Sequence, residues 1–189
     1  SGGRYCVNDQ ESARECIEES QILRKIASQC IEPNGGFFIA ITDEDYAYQE
    51  AFLRGAAECG IETRVYSPAE ALRMEPELNP KLLSAVWVPD GTFEPLRLAL
   101  AFAATAKAHG TVFKPYHQVQ RLLQDGQQKV IGVEVLDRTS GETYQLFADC
   151  IVSATGAWAG QLAALAGVKV PVQPTPGVMV AFDQRLSER

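Results

Sequence analysis

A chain of 189 residues, 46% hydrophobic and 22% charged with no low-complexity run, has the make-up of an ordinary globular protein, long enough to bury a core as one domain or two small lobes. Its formal charge of −7, with the basic residues scattered singly, excludes the basic stripe that nucleic-acid binding needs, yet a few Arg side chains and backbone N–H groups suffice for a small anion. The five cysteines, Cys6, Cys16, Cys30, Cys59 and Cys150, are odd in number and form no C-x-x-C pair, which points to reduced, mostly buried thiols rather than a disulfide framework or a metal site.

Asp9 is placed to cap a first helix that runs to about Ile31, with Ala13, Cys16, Ile17, Leu23, Ile26, Ala27 and Cys30 on one face. Pro33-Asn34-Gly35-Gly36 ends it, and Phe37 to Ile41 follows as a short apolar strand. Thr42 or Asp43 caps a second helix that closes at Gly60, with Phe52, Leu53 and Ala56 as its core face. Ile61 to Tyr66 reads as a strand, and Ser67-Pro68-Ala69-Glu70 joins a Ser cap, a Pro in the first helical turn and the Glu of a capping box. Leu82 to Val88 is a further strand, Pro89-Asp90-Gly91 a turn, and Pro95 opens a helix that reaches Gly110. The most apolar part of that helix, Leu96 to Ala108, is interrupted by Arg97 and Lys107 and is far shorter than the roughly 20 residues of a membrane span. No signal-peptide pattern precedes it, so a cytoplasmic location is expected, with a membrane-bound partner left open.

From Val112 the pattern turns to strands: His117 to Leu123, Lys129 to Asp137 and Tyr144 to Ala154, joined by Asp125-Gly126 and Ser140-Gly141 turns as a β-meander. The third runs into Ala154-Thr155-Gly156 and a helix over Ala157 to Ala166, after which Pro171, Pro174 and Pro176 lead to a last strand, Val178 to Phe182. A strand end whose glycine lets backbone approach a ligand, followed by a helix N-terminus, suits a pyrophosphate or ribose; the same turn also serves as a mere strand-to-helix connection. No G-x-G-x-x-G occurs anywhere.

A β-meander, a buried strand and then Ala154-Thr155-Gly156-Ala157-Trp158-Ala159-Gly160 resembles the FAD-dependent oxidoreductases of the D-amino-acid oxidase and glycerol-3-phosphate dehydrogenase superfamily. Ser1-Gly2-Gly3-Arg4-Tyr5 resembles the H-S-G-x-R-Y loop of the glycerol-3-phosphate dehydrogenases, and Glu11 to Ile17 is similar to the catalytic subunits of their anaerobic branch. Val88-Pro89-Asp90-Gly91-Thr92 with Pro95 and Arg97-Leu98, the His117-Gln118-Val119 strand and Thr139 to Thr143 extend the likeness over most of the chain.

The resemblance implies an α+β fragment of a two-domain flavoprotein, expected as an excised piece because its opening reads as mid-loop and the glycine-rich fingerprint is missing. Residues 1–110 would form a substrate-side lobe, 111–167 the meander and later part of the FAD domain, and 168–189 a return strand toward the substrate domain. Arg4 and Tyr5 would stand near flavin and substrate, the guanidinium suited to a phosphate or developing oxyanion. Val119 would meet the adenine through its backbone, Ala154, Thr155 and Gly156 would follow the ribose and pyrophosphate, and Trp158 would pack the helix onto the sheet. The implied reaction oxidises glycerol 3-phosphate to dihydroxyacetone phosphate with hydride transfer to FAD. Electrons would pass to quinone through iron–sulfur and membrane-anchor subunits.

Each residue also has a plainer explanation. Arg4 and Arg97 can be surface charges, Trp158 a core residue, and His109 a helix C-terminal residue favoured by the dipole. His117, on a meander strand, does not read as a base, so no general base is assigned. A Lys-Gly pair frequent in the family after the Ala-Thr-Gly helix is replaced by Pro176-Gly177-Val178-Met179. Two other readings stay open: an amino-acid or 2-hydroxy-acid oxidase using Arg4 for a carboxylate, and a non-catalytic module that docks on a partner.

Overall fold

The structure, a computed structural model, describes residues 2–185. The chain divides into two compact units, one built from Ser1–Gly110 with the segment from Ala181 onward, the other from Thr111–Val180.

The first unit is organised by a three-stranded antiparallel sheet. Its strands β2 (Gly36–Ala40), β4 (Ser84–Val88) and β3 (Arg64–Tyr66) lie in the order β2-β4-β3, and a separate two-residue ladder pairs β1 (Ile31–Glu32) with β5 (Thr92–Phe93). Side-chain alternation divides the sheet into two faces. Phe38, Val86 and Val88 join Phe52 and Ala56 of helix α2 (Asp43–Glu58), Ala13 of α1 (Gln10–Ile26), and Cys6, Cys59 and Ile61 in the main core. Phe37, Ile39 and Ala85 meet Ala71 and Leu72 of α3 (Pro68–Met74) on the other face. Phe52 is 5% exposed and its ring stands 4.7 Å from that of Phe38; burying such a side chain contributes about 1.5–3 kcal/mol.

The helix starts follow from local chemistry. Asp9 accepts from the Ser12 N–H at 3.1 Å and its hydroxyl at 2.7 Å. Thr42 with Asp45, and Ser67 with Glu70, form reciprocal capping boxes. The first helix stops at Ile26 rather than Ile31: Ala27 leaves helical geometry, Ser28–Cys30 form a 3₁₀ turn, and Ile31 and Glu32 pair with Phe93 and Thr92. Tertiary pairing outweighs the apolar periodicity that continues through Ala27 and Cys30. The strand expected over Ile61 to Tyr66 is confined to its last three residues, Ile61 instead turning into the core. Helix α4 (Pro95–Ala108) buries none of its residues; Leu96 is 67% and Leu100 60% exposed.

The second unit contains the meander of β6 (His117–Gln124), β7 (Val130–Asp137) and β8 (Thr143–Phe147) in the order β6-β7-β8. A bulge follows Val119, and Val135 is buried. Two expectations fail here. The third strand ends at Phe147 instead of Ala154, and Val178 to Phe182 forms no strand; Val152 is 82% and Val178 93% exposed. A β-branched run becomes a strand only where a neighbouring edge takes up its backbone groups, and among the described residues none pairs with either segment. The expected helix over Ala157 to Ala166 is a 3₁₀ turn, Gly156–Trp158, followed by the six-residue α5 (Ala159–Ala164). The last four residues of the expected return segment lie outside the described residues.

Candidate functional site

Each unit presents one concavity that gathers residues singled out in the sequence. In the first unit Arg4 and Tyr5 line a cavity of ≈430 Å³ together with Arg24, Asp90 and Phe93. They sit on a series of tight turns, with Tyr5 N–H donating to Gly2 O at 2.9 Å and Asp9 N–H to Tyr5 O at 2.7 Å. The turns are fixed between two helices. Gly2 takes φ +78°, and a β-carbon there would stand 2.6 Å from Ala13 O of α1. On the other side, a β-carbon at Gly55 of α2 would meet Cys6 O at 2.4 Å.

Cys6 is wholly buried beneath the loop, and its Sγ–H donates to Gly3 O at 3.2 Å. Burial and the neighbouring Cys59 push its thiol pKa up, so it stays a neutral donor. The loop is thus anchored from below while Tyr5, 47% exposed, and Arg4 face outward. The Arg4 guanidinium has no hydrogen-bond or ion-pair partner among the described residues. An uncommitted guanidinium on a fixed backbone is suited to a phosphate or carboxylate.

In the second unit Val119, Ala154, Thr155, Gly156 and Trp158 all line one open groove of ≈1010 Å³. The meander supplies one wall through His117 to Gln120, and α5 with its C-cap the other through Gln161, Leu162 and Leu165. Gly156 adopts φ +52° with nothing within 4 Å of where a β-carbon would stand, so its backbone is open to approach. Trp158 is 65% exposed rather than packed between helix and sheet, and it is one of the residues lining the groove. The six-residue α5 also weakens the helix-dipole argument for an anion, and the Trp158 backbone N–H is already given to Thr155 O at 3.0 Å.

The remaining candidates have structural roles. His117 Nδ1 lies 2.9 Å from Pro115 O and Nε2 3.8 Å from Asp137, with its ring edge-on to Tyr144 at 5.7 Å. Hydrogen bonds from the Thr139 hydroxyl and backbone N–H, with a smaller attraction from His117, hold the Asp137 carboxyl down at about 2. His109 is the C-cap of α4, and Arg97 is exposed on that helix. All five cysteines are free; three are buried, Cys16 is half-buried and Cys150 exposed. Sequence reasoning missed Arg24 and the glutamines of the groove. Long polar side chains without a motif carry no signal of what they will face.

One unit thus carries a groove of amide, hydroxyl and apolar groups, and the other a cavity lined by Arg4 and Arg24 together with the carboxylates Glu19 and Asp90. The chain belongs to the FAD dependent oxidoreductase (DAO) family, whose description matches residues 2–189. It is 42% identical over 188 residues to the A subunit of the anaerobic glycerol-3-phosphate dehydrogenase of Escherichia coli, covering 100% of this chain and 34% of that one. It is also 44% identical over 194 residues to the A1 subunit of the corresponding enzyme of Haloferax volcanii, covering 98% and 33%. Among solved structures, L-proline dehydrogenase from P. horikoshii superposes with a TM-score of 0.76 at 25% identity, over 88% of this chain and 44% of the other. The chain therefore spans about a third of the curated relatives it matches.

FAD is the cofactor of this family, and the groove fits one part of it. Gln118, Gln120, Thr155 and Gln161 offer neutral donors and acceptors, and Trp158, Leu162 and Leu165 an apolar surface, as an adenosine moiety requires. Among the described residues no Lys or Arg lines the groove, so a pyrophosphate gains no side-chain cation from them there.

Proposed function

We propose that this chain is part of a flavoprotein dehydrogenase that oxidises sn-glycerol 3-phosphate to dihydroxyacetone phosphate and passes the electrons to quinone. The observation that carries the reading is identity of 42% across the full length of the chain to one component of a glycerol-3-phosphate dehydrogenase. The uncommitted Arg4 supports it.

In this reading Val119, Ala154, Thr155, Gly156 and Trp158 hold FAD, which when bound accepts the substrate's C2 hydrogen as hydride. Arg4 and Tyr5 bind and orient the substrate. The Arg4 guanidinium, always charged, takes the phosphate or the negative charge that grows on the C2 oxygen as its proton leaves. Much of the rate would come from holding C2 in place, since a well-oriented reactant gains about 7–11 kcal/mol over a free one. His117 is held against Pro115 O and Asp137, and no side chain is assigned as the base. Iron–sulfur and membrane-anchor subunits complete the electron path, with this chain on the cytoplasmic side; no helix among the described residues is long and apolar enough to cross a membrane.

A second reading rests on the likeness to L-proline dehydrogenase: Arg4 would hold a carboxylate and the substrate would be an amino acid. The FAD-loaded holoenzyme assayed with an artificial electron acceptor against glycerol 3-phosphate, sarcosine, proline and 2-hydroxyglutarate separates the two. Turnover of glycerol 3-phosphate alone is expected; turnover confined to an amino acid or hydroxy acid moves the assignment to the second reading.

A further inference from the structure

Helix α1 touches both walls of the Arg4 cavity. Near its N-terminus Ala13 and Cys16 back the Gly2–Tyr5 turn, the would-be β-carbon of Gly2 lying 2.6 Å from Ala13 O and 3.0 Å from Cys16 Cβ. Near its C-terminus the Arg24 guanidinium reaches across to the Pro89–Thr92 turn, Nη2 donating to Pro89 O at 3.0 Å and to Asp90 O at 2.8 Å. Cys16 and Arg24 both line the cavity, and the step of eight residues from one to the other corresponds to about 12 Å of helix rise. The two walls are thus mounted on one rigid rod.

The Pro89–Thr92 turn is also held from the linker before β2. Gly35 N–H donates to Asp90 O at 3.2 Å, and Asn34 exchanges hydrogen bonds with Thr92, whose N–H reaches Asn34 Oδ1 at 3.1 Å. The tie from the turn to α1 is made by the Arg24 guanidinium. A β-carbon at Gly91 would stand 2.8 Å from Glu32 O and 3.2 Å from Arg24 Nη2, so the wall lies as close to Arg24 as backbone permits. Two carbonyl oxygens converging on one half-buried guanidinium nitrogen make charge-assisted bonds, stronger than neutral ones. A lysine ammonium, on a shorter and more flexible stem, would reach the same two carbonyls less fully.

We infer that Arg24 is a positioning residue for the oxidation, setting the distance between the Asp90–Phe93 wall and the Arg4 wall through its hold on the Pro89 and Asp90 carbonyls. The inference rests on the reading of the Arg4 cavity as the substrate site. Arg24 does not touch the reacting atoms; loosening it lets the Pro89–Thr92 wall retreat, so that substrate is bound less tightly before any step of chemistry.

The test is steady-state kinetics on the FAD-loaded holoenzyme with Arg24→Gln, Arg24→Lys and Gly91→Ala, together with flavin content and thermal midpoint. Arg24→Gln is expected to raise KM for glycerol 3-phosphate by about tenfold while kcat falls less than threefold and flavin content stays at the wild-type value. Arg24→Lys should fall between the two. Gly91→Ala, which leaves Arg24 in place but crowds the same wall, should also act mainly on KM. An unchanged KM in Arg24→Gln overturns the inference, as does a parallel loss of kcat, flavin and thermal midpoint with no separate effect on KM. If the wild type turns over an amino acid instead of glycerol 3-phosphate, the substrate assignment falls, and the same KM comparison on that amino acid still decides the role of Arg24.

Discussion

Arg4 carries the largest functional demand on a single side chain. It is fixed by the Gly2–Asn8 turns, exposed, and without a partner among the described residues. Arg4→Ala in the holoenzyme should lower kcat/KM for glycerol 3-phosphate by about 100-fold or more, with flavin content unchanged, and Arg4→Lys should recover only part of it because an ammonium cannot match a planar, bidentate contact. Asp137 gives a pH prediction. Its carboxyl is held at about 2 by Thr139 and the neighbouring turn, below the unfolded value near 3.8. A depressed carboxylate stabilises the fold fully above the unfolded pKa and loses that contribution as pH falls toward the folded one. The difference in thermal midpoint between wild type and Asp137→Asn should therefore be constant above about pH 5 and shrink between about pH 4 and 2. At this scale the sequence was partly legible. Arg4, Tyr5 and the Ala154–Gly156 turn stood out through a recognisable motif, whereas Arg24 did not, because its acceptors are main-chain carbonyls 65 and 66 residues away. Backbone acceptors leave no trace in residue identity.

Helices here were easier to read than strands. Helix caps are local devices, complete within four residues: the Ser67–Glu70 box forms as the sequence indicates, and Thr42 caps α2 with Asp45 adding a second box there. The runs Cys150 to Ala154 and Val178 to Phe182 have strand composition but no paired edge among the described residues, so composition alone misjudged them. The contact between α2 and the Arg4 loop is a second element-scale feature, invisible in sequence because it depends on the absence of a side chain. Gly55 leaves no room for a β-carbon against Cys6 O. Gly55→Ala should cost about 1–3 kcal/mol of stability through overpacking. By pushing the Gly2–Asn8 turns off α2 it should also raise KM for the substrate; thermal unfolding and steady-state kinetics on the same preparation would check both.

Across the whole chain there are two units: one of helices on an antiparallel sheet, with a cavity lined by Arg4 and Arg24, and one in which the meander and its following 3₁₀ turn border an open groove. The sequence holds no G-x-G-x-x-G turn of the kind that cradles a pyrophosphate, and among the described residues no Lys or Arg lines the groove. The measurement that bears most directly on the central claim is an anaerobic titration of the FAD-loaded holoenzyme with glycerol 3-phosphate, following the visible flavin absorbance and assaying for dihydroxyacetone phosphate. The account predicts that the flavin bleaches with one equivalent of product formed per flavin. A flavin that stays oxidised under glycerol 3-phosphate but bleaches with proline or sarcosine would contradict it.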